Sequence, residues 1–172
     1  MYPVLFPIKL KSPPKRLFMI LLFITLSFSG LVITKAKLNA SDMILFFLCF
    51  VIALLLFTLP IHEYSHALGF RLTGVTWKVY LTYCEALAGC QVSRYKYVCL
   101  APLFTLLASI LLLLLLNKFF PGWLFYGLLL GGISSFPGIT RDIYWFFQLT
   151  KLDNSWIVFD HGKYADVFPP NF

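Results

Sequence analysis

The chain has 172 residues, of which 60% are hydrophobic and 12% charged, and it carries a formal net charge of +7. Soluble domains place about a quarter of their residues in charged side chains, so an ordinary soluble globular domain is excluded. The basic residues are scattered and accompany no nucleic-acid motif, so no nucleic-acid partner is expected; the positive excess fits loop bias and attraction to anionic headgroups of a lipid bilayer.

In chain order, residues 1–16 hold Pro3, Pro7, Pro13 and Pro14 among Lys9, Lys11, Lys15 and Arg16, which suggests an extended tail along the membrane surface. Leu17–Thr34 is an uninterrupted apolar run, longer than the ~7–15-residue core of a signal peptide and without an A-x-A site, so a retained helix is expected. Asn39-Ala40-Ser41 matches a glycosylation sequon but lies in a very short loop. Met43–Ile61 forms a second run, and Pro60 predicts a kink near its end. The helix is expected to continue past Ile61 and to stop at Gly74.

Beyond Gly74 the pattern changes. Thr76–Tyr83 and Gln91–Tyr97 are rich in β-branched and aromatic residues with partial alternation, and Glu85–Cys90 connects them. A hairpin at the cytoplasmic surface is expected, covering helix ends or offering an edge to an extended peptide. Val98–Leu116 is a third apolar run, with Pro102 read as lying near its first turn, where proline is tolerated. Trp123–Thr140 is a fourth, and its Gly131–Gly138 stretch is small-residue-rich and interrupted by Pro137, a pattern that permits close helix approach and a break.

The predicted fold is therefore an all-α polytopic membrane protein: one domain over 1–172, four transmembrane helices at about 17–34, 43–73, 98–117 and 123–150, and a short cytoplasmic β-hairpin within 75–97 between helices two and three. With four spans, eleven Lys and Arg fall on one side and three, Lys35, Lys37 and Lys118, on the other. Both termini and the 70–97 segment are then cytoplasmic.

His62-Glu63-Tyr64-Ser65-His66 is an instance of H-E-x-x-H and holds two of the chain's three histidines. Residues four apart share a helix face, so both imidazoles can grip one metal ion, and Glu63 is placed to take a proton from a water that the metal polarises. Catalytic zinc takes three protein ligands and an open position. The third ligand should lie at the same membrane depth. The second and fourth spans run in the same direction, which puts His62, His66 and Asp142 level at their cytoplasmic ends. Glu85, Asp153, Asp160, Asp166 and His161 are the weaker candidates. Cys49, Cys84, Cys90 and Cys99 form no C-x-x-C pair, so they are read as small apolar residues and not as thiolate ligands.

The His62–Phe70 stretch, the strand-like segment, the Ala101-Pro102 helix start and Asp142 together resemble the zincin peptidases, a small membrane family with H-E-x-x-H. Over residues 43–150 the layout is also similar to the core of site-2 proteases, which place H-E-x-x-H on one helix and an aspartate ligand two helices later. Site-2 proteases carry D-G at that position, whereas Asp142 is followed by Ile143 and preceded by Pro137 and Gly138. The resemblance implies a multi-pass zinc metallopeptidase of a bacterial cell membrane, with Zn2+ on His62, His66 and Asp142, Glu63 as catalytic base, and a peptide or membrane protein as substrate. The rival readings are a catalytically inactive zinc-binding membrane protein acting as a binding or chaperone-like module, and a metal-dependent transporter component.

Overall fold

The computed structural model describes residues 7–36 and 38–170; Lys37, counted above among the loop cations, and Pro3 of the tail lie outside the described residues. The elements are β1 (Ile8–Lys9), α1 (Lys15–Ala36), α2 (Ala40–Leu56), a π-helical turn Phe57–Ile61, α3 (His62–Thr73), β2 (Trp77–Val79), β3 (Cys84–Ala86), β4 (Cys90–Gln91) and α4 (Val92–Leu115). There follow a 3-10 turn Asn117–Phe119, α5 (Gly122–Ser134), a second 3-10 turn Phe136–Ile139, α6 (Thr140–Leu149), β5 (Ile157–Asp160) and β6 (Ala165–Phe168). Among the described residues three helical stretches are long and apolar enough to cross a membrane: Ala40–Thr73, Val92–Leu115 and Gly122–Leu149. This is the composition of a membrane protein. The run expected to be the first of four spans is the 22-residue α1, which is not among these three.

The chain divides into two compact units. One comprises Pro13–His62 and Leu103–Thr140. Its helices leave large apolar side chains such as Phe23, Leu31, Ile44, Phe47 and Leu115 exposed, as lipid-facing residues are. Within it α5 lies against α2 through glycines: a Cβ on Gly131 would stand 2.5 Å from Ala53 Cβ and 2.8 Å from the Leu54 nitrogen, and one on Gly127 would stand 2.9 Å from Cys49 Cβ. Only the missing side chains allow the backbones this close. Polar groups on α1 are satisfied locally, with Thr25 Oγ1 donating to the Leu21 carbonyl and Ser29 Oγ to the Thr25 carbonyl, both at 2.8 Å. Asn39, the sequon asparagine, caps α2 by accepting from the Asp42 N–H at 2.8 Å.

The other unit comprises Met1–Ser12, Glu63–Pro102 and Arg141–Phe172. A four-stranded antiparallel sheet runs in the order β1-β6-β5-β4, with Ile8 opposite Val167, Val158 opposite Val167 and Cys90 opposite Val158. Its core is built from Phe70, Val92, Tyr95, Val98, Cys99, Trp145, Leu149, Val158 and Val167, all nearly inaccessible to solvent. Of the segment expected to be extended over residues 1–16, Ile8–Lys9 form strand β1 and Lys15–Arg16 open helix α1; Gln148 on α6 clasps Lys11 between them, its Nε2 donating to the Lys11 carbonyl at 2.8 Å and its Oε1 accepting the Lys11 N–H at 2.9 Å. Helix α3 stops where the sequence indicates. Gly74 takes φ +74°, its N–H reaches the Arg71 carbonyl, and the Val75 N–H reaches back to the Phe70 carbonyl.

Three expectations change. The hairpin is shorter and earlier: β2 pairs with β3, Trp77 facing Ala86, within the stretch read as connection. Residues 92–97, read as a second strand, open helix α4. Val92, Tyr95, Val98 and Cys99 recur at helical spacing and are all buried, a periodicity that partial alternation concealed. Because α4 starts at Val92, Pro102 is inside the helix and not in its first turn. The C-terminal segment, assigned no structure from the sequence, forms the β5–β6 hairpin.

Gly131→Ala is expected to destabilise the protein by about 1–3 kcal/mol through overpacking against Ala53. Gly30→Ala on α1, where a Cβ meets nothing within 4 Å, should be neutral or slightly stabilising. Thermal unfolding of both variants in detergent checks this; equal midpoints would contradict the close approach of α5 and α2.

Candidate metal centre

The site is built from the start of α3 and the start of α6. The π-helical turn Phe57–Ile61 holds Pro60 and delivers the chain into α3, whose first five residues are the H-E-x-x-H motif. His62 and His66 are one helical turn apart and share a face, and both are 8% exposed. Helix α6 begins after the break at Phe136–Ile139 and carries Asp142 in its first turn, 2% exposed. The ligand atoms of His62, His66 and Asp142 all lie within 4.8 Å of one another, so this buried group could hold a metal ion. The fit rests on the donors. His66 Nε2 and Asp142 Oδ2 are 3.5 Å apart. Two ligand atoms about 2.0–2.1 Å from one ion in a tetrahedral shell stand ~3.3–3.4 Å apart, so the pair needs almost no movement to bind.

The tautomer of His66 is set by its other nitrogen. Nδ1 lies 3.1 Å from the Val98 carbonyl, which can only accept, so Nδ1 carries a proton and Nε2 is the nitrogen left for an ion beside Asp142. That carbonyl is available because Pro102, four residues on, has no N–H to give it. Sequence reasoning missed this support. The signal was present in the proline, once α4 is known to begin ten residues before it.

Glu63 is 5% exposed and three residues before His66, on the same side of the helix. A carboxylate this buried beside two imidazoles has the chemistry of a proton acceptor.

The other candidate ligands are not part of this group, and each has its own partner. Glu85 accepts from the Tyr80 hydroxyl at 3.1 Å. Asp153 caps a turn, accepting from the Ser155 N–H and hydroxyl, which hold its carboxyl below the usual range. His161 stands at the β5–β6 turn, 3.6 Å from Asp166 and stacked on Tyr164. Asp160 is buried; it accepts from the Tyr95 hydroxyl and from the Gly162 N–H, both at 2.7 Å. Burial nevertheless raises its carboxyl above the usual range, against those two bonds. All four cysteines are free thiols. Burial pushes Cys84 up to about 12 and Cys90 up to about 11, so neither offers a thiolate near neutrality.

The chain matches no protein-family model, no curated protein and no solved structure.

The geometry separates Asp142 from its rivals. In purified full-length protein, Asp142→Asn and His66→Ala should each abolish bound metal, while Asp153→Asn and His161→Ala should keep the wild-type content. Elemental analysis after gel filtration measures it. Wild-type metal in Asp142→Asn would exclude Asp142 as a ligand.

Proposed function

We propose that this protein is a membrane-embedded zinc metallopeptidase that hydrolyses peptide bonds of peptides or membrane proteins at or near the cytoplasmic membrane face. The observation that carries the reading is the convergence of His62, His66 and Asp142 beside buried Glu63. Two imidazoles and one carboxylate on a closed-shell ion, with one position left open, is the ligand set of hydrolytic zinc. A bound zinc supplies two things: a water acidic enough to lose its proton near neutrality, and polarisation of the scissile carbonyl.

The protein's residues do the rest. His62 and His66 would each supply a ring nitrogen to the ion, and the Val98 carbonyl holds His66 by Nδ1 so that Nε2 is the nitrogen left beside Asp142. Asp142 closes the third position and offsets one positive charge. Glu63 takes the proton of the attacking water and later delivers it to the leaving amine. The burial of all four side chains limits competing water, which strengthens each of these electrostatic contacts.

The uninterrupted apolar run of α1 serves as a fourth span, and with four spans the distribution of Lys and Arg puts the site and both termini on the cytoplasmic side. The bacterial cell membrane rests on the resemblance to zincin peptidases. An acid that serves only as a structural neighbour is not required by a closed zinc site, so Glu63 favours the enzyme over a zinc-binding module.

Glu63→Gln should retain about one zinc per chain and lose cleavage of an unstructured fluorogenic peptide by ~10²–10⁴-fold. Zinc content and initial rates in detergent test it together. Undiminished cleavage by the Gln variant would refute the mechanism; zinc binding with no cleavage by the wild type across a peptide library would leave the binding module as the function.

A further inference from the structure

Next to the third ligand stands Arg141. It is partly exposed, with 35% of its side chain accessible, and its guanidinium carbon lies 5.0 Å from the centre of the Trp145 ring, one helical turn along α6. Trp145 is itself 3% exposed and part of the core, so the platform is rigid. The cation–π contact fixes the plane of the guanidinium and uses none of its five N–H donors.

Arg141 could be read as the neutralising partner of Asp142, but the distances oppose this. Its nearest approach is Nε to Asp142 Oδ1 at 3.8 Å. A charge-assisted hydrogen bond is about 2.7–2.9 Å long, and an arginine built to pair with a carboxylate meets it through two such bonds. Here the contact is single and long, and no described residue accepts a hydrogen bond from the guanidinium. The charge count points the same way. A divalent ion and Arg141 together carry three positive charges, against one each on Asp142, Glu63 and the more distant Asp160, so even with all three carboxylates ionised the site holds no net negative charge to repel an anion. The indole Nε1 of Trp145 is buried and likewise has no acceptor, so the donors of this helix face are in excess.

We propose that Arg141 is the carboxylate-binding subsite of the peptidase, selecting peptides that carry a carboxylate within one or two residues of the scissile bond. This rests on the metallopeptidase reading. The guanidinium lies on the Oδ1 side of Asp142, whereas Oδ2 is the oxygen that faces His66. The ion position and the guanidinium are therefore separated by the Asp142 carboxyl group plus the 3.8 Å contact. Extended chain spans ~3.3–3.6 Å per residue, so one or two residues cover that separation. The carboxylate is supplied by a free C-terminus or by an Asp or Glu side chain; both give the flat two-oxygen acceptor that a guanidinium recognises edge-on.

The test uses zinc-loaded full-length protein in detergent and three short peptide hydroxamates of one apolar sequence. The first ends in a free carboxylate, the second in an amide, and the third in an amide with one Glu side chain. Hydroxamate anchors each probe to the metal, so titration calorimetry reads the subsite without needing turnover. A hydrogen-bonded charge pair contributes about 1.5–3 kcal/mol, so one or both carboxylate probes should bind wild type about 10–100-fold more tightly than the amide probe. Which of the two gains identifies the source. In Arg141→Gln the gain should vanish while zinc content and amide-probe affinity stay at wild-type values; Arg141→Lys, which keeps charge but not the fork, should recover only part of it. Equal binding of all three probes by wild type overturns the inference and leaves the metal site standing. Failure of every hydroxamate to bind, with no zinc on the protein, overturns the metallopeptidase reading and this inference with it.

Discussion

Pro102 has no N–H, so the Val98 carbonyl loses its donor one turn along α4 and takes the Nδ1 proton of His66 instead, at 3.1 Å. Much else depends on this one substitution of partners. It puts a proton on Nδ1 of a buried histidine, turns Nε2 to within 3.5 Å of Asp142, and ties the motif helix to the helix that follows the hairpin. A histidine free to rotate, or protonated at the wrong nitrogen, would offer the ion one ligand fewer. Close packing reinforces the contact: a Cβ on Gly69, three residues along α3, would stand 2.9 Å from Val98 Cα. Here glycine and proline, both poor helix residues, bring two helices near enough for one side chain to reach the other's backbone.

Glu63, His66 and Asp142 stand in a well-packed unit assembled from non-contiguous stretches of chain. Asp142 stands on a helix whose later turns anchor Trp145 and Leu149 in the core and whose Gln148 clasps the backbone of Lys11, just beyond the N-terminal strand. The β5–β6 hairpin adds Asp160, bound to Tyr95 on α4. Such a network suits a site that must bury charge. Each polar group is costly away from water, and packed neighbours hold His66 Nε2 and Asp142 Oδ2 3.5 Å apart, close to the spacing of two ligands on one ion.

What the sequence reveals and what it hides have physical causes. The motif histidines, Glu63 and Asp142 are legible because few polar residues occur near the ends of apolar spans, and topology alone puts Asp142 level with the histidines. The stop at Gly74 and the break around Pro137 are legible because glycine at positive φ and proline inside a helix have few uses. The start of α4 is not. Tyr95, Arg94 and Tyr97 have the β-favouring, alternating look of a strand, and only the burial of Val92, Tyr95, Val98 and Cys99 reveals the period of a helix. That error hid the role of Pro102. Pairing of the two chain ends into one sheet is hidden as well, since β1 is two residues long and its partner lies almost the whole chain away. The Val98 carbonyl is a backbone group, and no residue type announces it.

The central claim is that one metal ion is held by His62, His66 and Asp142 with a position left open. Zinc-edge X-ray absorption on the purified wild-type protein tests it most directly. The account predicts a four-coordinate shell of nitrogen and oxygen only, at about 2.0–2.1 Å, with the multiple-scattering signature of two imidazoles. A sulfur shell near ~2.3 Å would assign the ion to the buried cysteines, and a protein isolated without metal that takes none up would contradict the account outright.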